Sequence, residues 1–188
     1  PPELCRRSMK VLGAPIQIIY GQTECSPVVT SAWYDDSLED QTETIGQPLP
    51  RVEVAILDPN TGAYAPINEQ GEICVRGYLV MTGYNDNPEA TTAAIDKDGW
   101  LHTGDLGRMD ARGYVKITGR VKEMIIRGGE NIYPREIEEF LYTHAGIQDV
   151  QVFGVPDEKY GEEICAWVQV KEGESLTEDD IKTFAKDK

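Results

Sequence analysis

Ile16-Gln17-Ile18-Ile19-Tyr20-Gly21-Gln22-Thr23-Glu24 runs from an apolar, β-branched segment straight into a turn that carries a hydroxyl and a carboxylate. Ile16 to Tyr20 reads as a short buried strand leading into a loop. A tight turn at the carboxyl end of a strand is where α/β sheets bind ligands. There the Thr23 hydroxyl can hold a phosphate oxygen and the Glu24 carboxylate a hard cation such as Mg²⁺, while the Tyr20 ring can lie against a flat base. Alone, the turn fits a plain loop with a helix-capping threonine even better.

Outward from this stretch the chain changes character once. Residues 2–12 read as a helix with Leu4, Met9 and Leu12 apolar and Gly13 as its stop. Residues 35–44 are acidic and polar and are expected to form a surface loop. Val52–Leu57 and Gly71–Arg76 read as strands, with turn chemistry at Asp58-Pro59-Asn60-Thr61-Gly62. Asn87-Pro88-Glu89 opens a short helix, and Trp100–Met109 and Tyr114–Ile117 look like strands joined at Asp110-Ala111-Arg112-Gly113. Such a β-rich segment is expected to form a barrel-like or sandwich subdomain. After Gly119, Met124-Ile125-Ile126, Gly128-Gly129 and Ile132 suggest a hairpin, followed by a helix from Pro134 whose inner face is Ile137, Phe140 and Leu141. Strands at 150–155 and 164–170 and a helix capped by Thr177 with Asp180 complete a small α+β unit, with the boundary near 120–122.

The 188 residues carry 33 Asp and Glu against 18 Lys and Arg, a net charge of −15, and are 40% hydrophobic, as in an ordinary globular protein. The excess acid is spread evenly, since residues 1–118 hold 9 basic and 17 acidic residues and residues 119–188 hold 9 and 16. A nucleic-acid or anionic-membrane binder needs a basic face, so that class is set aside. Cys5, Cys25, Cys74 and Cys165 lie far apart with no CxxC pair, which argues for reduced thiols and a cytoplasmic location and against a zinc knuckle. No apolar run approaches the ~20 residues of a membrane span. A start at Pro1-Pro2 and an end inside a helix lead us to expect a piece of a longer protein.

Three further segments occur in order after the first: Gly71-Glu72-Ile73-Cys74-Val75-Arg76-Gly77, then Thr103-Gly104-Asp105-Leu106, then Gly119-Arg120-Val121-Lys122-Glu123 through Glu130-Asn131-Ile132-Tyr133-Pro134 to Glu138. With them the chain resembles, over essentially its whole length, the adenylate-forming superfamily of acyl-CoA synthetases, peptide-synthetase adenylation domains and luciferases. Ile125 to Pro134 looks most like medium-chain and related fatty acyl-CoA synthetases. The resemblance implies an α/β and α+β fold, with residues 1–120 the β-rich C-terminal part of the large AMP-binding domain and 121–188 a small lid domain, both incomplete.

For the site, the resemblance implies ATP, Mg²⁺ and CoA as cofactors and small molecules as partners. Tyr20, Gly21, Gln22 and Thr23 would form the adenine and phosphate turn, with Thr23 near the α-phosphate and Glu24 on Mg²⁺, these two being the catalytic candidates. Asp105 would accept both ribose hydroxyls, Arg120 would contact the ribose or the phosphate, and Lys122 would be the interdomain hinge, where many relatives have Asp. Gly128 and Gly129 would line the CoA tunnel, and Ile19, Pro27 and Val28 would flank an acyl pocket with no charge placed to meet an amino group. That favours a fatty or aryl acid over an amino acid.

Plainer readings stand beside these. Asp105 could cap a turn, Arg120 and Glu123 could form a surface ion pair, and the glycine pair could be only a hairpin turn. His102 and His144 are assigned no catalysis, and Cys25 is read as a packing residue. The family's Gly-rich phosphate loop and its C-terminal Gly-Lys motif do not occur in the sequence, and Lys186 and Lys188 are not given that lysine's role. The chain alone is therefore expected to have little ligase activity. The alternatives are an adenylating enzyme that delivers its acyl group to a carrier protein or to oxygen, an aryl acid–CoA ligase, and a non-catalytic truncated binding module.

Overall fold

The computed structural model describes residues 2–186, and Lys188 lies outside them. Helix α1 (Pro2–Leu12) stops where expected, at Gly13, whose φ of +63° suits a residue without Cβ and whose N–H bonds back to the Met9 carbonyl. The strand expected at 16–20 is reduced to β1 (Ile19–Tyr20), which pairs antiparallel with β2 (Thr30–Ser31). It is not buried on both faces, because Ile19 is 58% exposed while Tyr20 points inward.

The acidic stretch 35–44 does not form the expected solvated loop. It contains α2 (Leu38–Glu43), capped by the Ser37 hydroxyl, with Asp40, Gln41 and Thr42 buried. Each buried polar group has a partner, which is what permits its burial. Arg112 from the distant turn grips Asp40 through two bonds of 3.0 and 2.8 Å. Gln41 donates to the carbonyls of Trp33, Tyr34 and Asp36, and Thr42 to that of Leu38. A single-sequence reading sees polar residues and infers solvent; here they are the core of a small polar network.

Strand β3 (Gln47–Pro48) completes a three-stranded antiparallel sheet with β1 and β2, β2 in the middle. The main sheet of the first unit is an open meander of β4 (Val52–Leu57), β5 (Gly71–Gly77), β6 (Leu101–Met109) and β7 (Val115–Arg120), with β4 and β7 as its edges. Helix α3 (Pro88–Ala94) precedes β6 and is capped by the Asn87 side chain, as its sequence predicts. Ile56, Ile73, Val75, Leu101 and Val115 form the core beneath the sheet together with Tyr20, Cys25 and Val29. The turn of interest is thus anchored in the same core as the meander.

The described residues divide into two compact units between Val121 and Lys122. The second unit contains β8 (Ile125–Arg127), β9 (Glu130–Ile132), α4 (Pro134–Leu141), β10 (Ile147–Asp157), β11 (Gly161–Val170) and α5 (Glu178–Ala185). Its four strands form one antiparallel sheet in the order β10-β11-β8-β9. Leu141 of α4 packs with Ile125, Ile147, Val150 and Val152, and Ile181 and Phe184 of α5 join that core. Thr177 and Asp180 form a reciprocal capping box at the start of α5. Lys186 is the cap residue after it.

Candidate active site

The turn after β1 is held by its backbone. The Val29 N–H donates to the Tyr20 carbonyl at 2.7 Å, folding the chain back so that Gly21 lies on Pro27 and Val28. A Cβ on Gly21 would come within 1.5 Å of the Pro27 oxygen, so no other residue fits there. Thr23–Cys25 forms a single 3-10 turn, closed by Ser26 in the left-handed region. Thr23 is exposed and its hydroxyl makes no protein hydrogen bond among the described residues, so the helix-capping reading does not hold. Cys25 is fully buried; burial, helped by the charge of Glu24, pushes its thiol up to about 11, so it stays neutral and packs.

Asp105 is where the separate motifs meet. It is 7% exposed in β6 and does not cap a turn. The Tyr20 hydroxyl donates to its Oδ2 at 2.8 Å, and the Gln22 amide donates to the same oxygen at 3.0 Å and to the Thr103 carbonyl at 2.9 Å. Arg120, directly opposite in β7, brings its Nε to 3.1 Å from Oδ1. That pairing replaces the surface ion pair with Glu123 considered above. Burial raises the Tyr20 phenol well above its usual value, and the Asp105 carboxylate adds to this, so Tyr20 stays protonated and donates to that carboxylate. A carboxylate offers about four lone-pair sites; here two hydrogen bonds fill Oδ2, and Oδ1 is met by the Arg120 ion pair.

Asp105 reaches this position because β6 bulges. Cys74 faces His102 and Glu72 faces Leu106, so Ile73 alone stands opposite Thr103, Gly104 and Asp105. Gly104 has a φ of +74° inside the bulge. The Thr103 hydroxyl donates to the Ile73 carbonyl at 2.6 Å and accepts the Asp105 N–H at 3.1 Å.

Glu24 faces another way. Its backbone carbonyl accepts the Met81 N–H, and its Oε1 accepts the Tyr84 hydroxyl at 2.9 Å, which raises the Tyr84 phenol above its usual value. Its second oxygen takes no protein hydrogen bond among the described residues. One half-open carboxylate suits Mg²⁺, which is commonly held by one or two carboxylates together with substrate phosphates. Glu72, Cys74 and His102 also bring potential ligand atoms within 4.8 Å of one another. However, His102 Nδ1 lies 2.7 Å from Glu72 Oε2, a hydrogen bond tighter than the ~3.3 Å between two donors on one tetrahedral zinc ion. Burial, then the charges of Glu72 and Asp96, also drive the Cys74 thiol up and away from the thiolate that a metal needs.

The remaining candidates lie elsewhere. Ile19 is exposed, Val28 half-buried and Pro27 exposed beside Gly21. Lys122 is exposed in the 3-10 turn Val121–Glu123. Gly128 and Gly129 form the two-residue turn between β8 and β9, with φ of +61° and +90°. That geometry alone favours glycines there. His144 accepts the Gly146 N–H and meets the Phe184 ring edge-on, as a structural histidine. Sequence reasoning missed Tyr84 and the Glu72–His102 pair. An acid beside Ile73, Cys74 and Val75 in an apolar strand was the available signal for Glu72.

Against known families, residues 1–85 match AMP-binding enzyme and residues 136–188 match AMP-binding enzyme C-terminal domain. The chain belongs to the adenylate-forming, AMP-binding enzymes. It is 52% identical to YngI of Bacillus subtilis and 47% identical to the mitochondrial medium-chain acyl-CoA ligase ACSF2 of Bos taurus, in both cases over all of this chain. It spans about a third of each relative, 34% and 31%. Among solved structures, ATP-bound MatB from Rhodopseudomonas palustris superposes with a TM-score of 0.89 at 36% identity, over 97% of this chain and 36% of that one. MatB shares the β-rich fold seen here. No helix among the described residues of this family member is long and apolar enough to cross a membrane.

Proposed function

We propose that this chain is the nucleotide-holding part of an AMP-forming acid–thiol ligase, with residues 1–120 from its large domain and 121–188 from its lid. The observation that supports this most is the convergence of Tyr20, Gln22 and Arg120 on the buried Asp105 carboxylate. Donors from two sequence motifs hold it in place, as a residue that must receive a diol requires. Tyr20 and Gln22 occupy Oδ2 and the Arg120 guanidinium stands beside Oδ1, so a ribose that takes Oδ1 must move it aside. Arg120, 65% exposed on the edge strand, is the one free to leave and to follow the ribose or the phosphate.

In this reading a carboxylate oxygen of the acid attacks the α-phosphorus of ATP, pyrophosphate leaves, and an acyl-adenylate forms. The CoA thiol then attacks the acyl carbonyl, its proton is lost, and AMP leaves. Thr23 presents its unengaged hydroxyl to the α-phosphate, and the Tyr20 ring borders the adenine. Glu24 would hold Mg²⁺, which when bound supplies charge neutralisation on the phosphates. Tyr84 keeps the Glu24 carboxylate oriented. Lys122 serves as the hinge and Gly128-Gly129 as the border of the thiol path. Ile19, Pro27 and Val28 face a fatty acyl group, which the identity to a medium-chain acyl-CoA ligase supports. Four free cysteines fit a reducing, cytoplasmic setting.

The test is fatty-acid-dependent ATP–pyrophosphate exchange by the full-length protein, followed by AMP release with CoA, with a carrier protein, or with neither. Exchange with CoA-dependent turnover is expected, and Asp105→Ala should lower kcat/KM for ATP about a hundredfold by removing two charge-assisted bonds. Absence of exchange across a panel of carboxylic acids overturns the reading, and AMP release that needs a carrier protein moves the acceptor from CoA to that protein.

A further inference from the structure

Glu72 is a buried carboxylate near the start of β5, beside its apolar run, and both its oxygens point at the bulge that presents Asp105. Oε1 accepts the Gly104 N–H at 2.9 Å, and Oε2 lies 2.7 Å from His102 Nδ1. These two residues flank Thr103, and Gly104 directly precedes Asp105. Inside a bulge the Gly104 N–H has no partner in the regular strand ladder, and leaving it unpaired in a buried sheet is unfavourable. A carboxylate reaching across from β5 meets that need with a stronger acceptor than a carbonyl. On its other side His102 Nε2 lies 3.7 Å from Asp96 Oδ2, too far for a hydrogen bond. The chain of hydrogen bonds therefore runs from His102 through Glu72 to Gly104, the residue before Asp105.

We propose that Glu72, seated by His102, is a positioning residue: it fixes the bulge at Gly104 so that Asp105 meets the ribose hydroxyls, and it governs ribose recognition without touching the nucleotide. This rests on the reading of Asp105 as the ribose ligand. A role in stability alone would weaken the binding of every nucleotide alike. A role in aiming Asp105 weakens only those that carry the hydroxyls.

The experiment compares ATP with 2′,3′-dideoxy-ATP in the exchange reaction of the full-length protein and of Glu72→Gln, which keeps the shape and removes the charge. Wild type should favour ATP strongly. Glu72→Gln should raise KM for ATP about tenfold, leave KM for the dideoxy nucleotide within about twofold, and change kcat little. Gly104→Ala places a Cβ where nothing lies within 4 Å, so it perturbs the same bulge by its backbone preference alone and should give the same selective loss even if Glu72→Gln does not fold. A wild type that does not distinguish the two nucleotides overturns the assignment of Asp105 itself. A wild type that does, with variants that lose both nucleotides equally or neither, overturns the positioning role of Glu72 and leaves Asp105 in place.

Discussion

The turn at Tyr20–Glu24 and the turn at Gly128-Gly129 carry the same kind of sequence signal, a few small or polar residues after a strand, and the fold treats them in opposite ways. Around the first, Gly21 is pressed against Pro27, Tyr20 and Gln22 are committed to Asp105, and Glu24 is committed to Tyr84. At the second, a Cβ on Gly129 would meet nothing within 4 Å and one on Gly128 only ordinary contact with the Tyr160 ring. The first turn has its chemistry built by tertiary partners within its own unit. The second has only a backbone requirement, so any chemistry assigned to it must come from what it meets.

Substitutions can break or sharpen this contrast. The largest effect belongs to Gly21→Ala, where the new methyl collides with backbone and not with a movable side chain. A stability loss of about 3 kcal/mol is expected by urea unfolding, with nucleotide binding lost alongside it. A near-neutral result would mean that the turn is softer than its geometry implies.

Next comes Asp40→Asn, which tests whether polar burial in α2 matters to the same unit. Its hydrogen bonds with Arg112 hold the Asp40 carboxyl below its usual range, against the opposing effect of burial, and Ser37 adds to the lowering. A group whose native pKa is lowered stabilises the fold above its unfolded value of ~3.9 and loses that contribution as pH falls through the native one. The variant should therefore be less stable by about 2 kcal/mol at pH 7, and the difference should shrink below about pH 4. A pH-independent difference would show that the charge of Asp40 is not what counts.

The smallest effect is expected for Gly129→Ala, about 1 kcal/mol from left-handed backbone alone. Its value lies in the split between reactions. Loss of thiol transfer with pyrophosphate exchange intact supports a role beside the CoA path, whereas equal rates in both leave the glycines as a turn and nothing more.

Much of the fold is written in local patterns. Gly13, Asn87-Pro88, Asp58 to Gly62 and Thr177 with Asp180 each act through neighbours a few residues away, so the sequence reads them directly. The helix at 38–43 escaped because its stability lies in Arg112, more than sixty positions onward. The site divides in the same way. Asp105, Arg120 and the 20–24 turn stand out as candidates through ordered motifs, but their convergence on one carboxylate depends on the bulge in β6 and on Gln22 reaching across. Glu72 and His102 are invisible as a pair because they lie on neighbouring strands, thirty residues apart in sequence.

The Asp105–Arg120 pair bears on selectivity. A carboxylate already paired with an internal cation is masked, not an open hook. A ligand that offers hydroxyls alone must compete with the Arg120 guanidinium for Oδ1, while one that also carries a phosphate offers that guanidinium a second anion to move to. The preference for a phosphorylated diol over a bare one is then steeper than the phosphate's own contacts would give, and the competitor that enforces it is part of the protein itself.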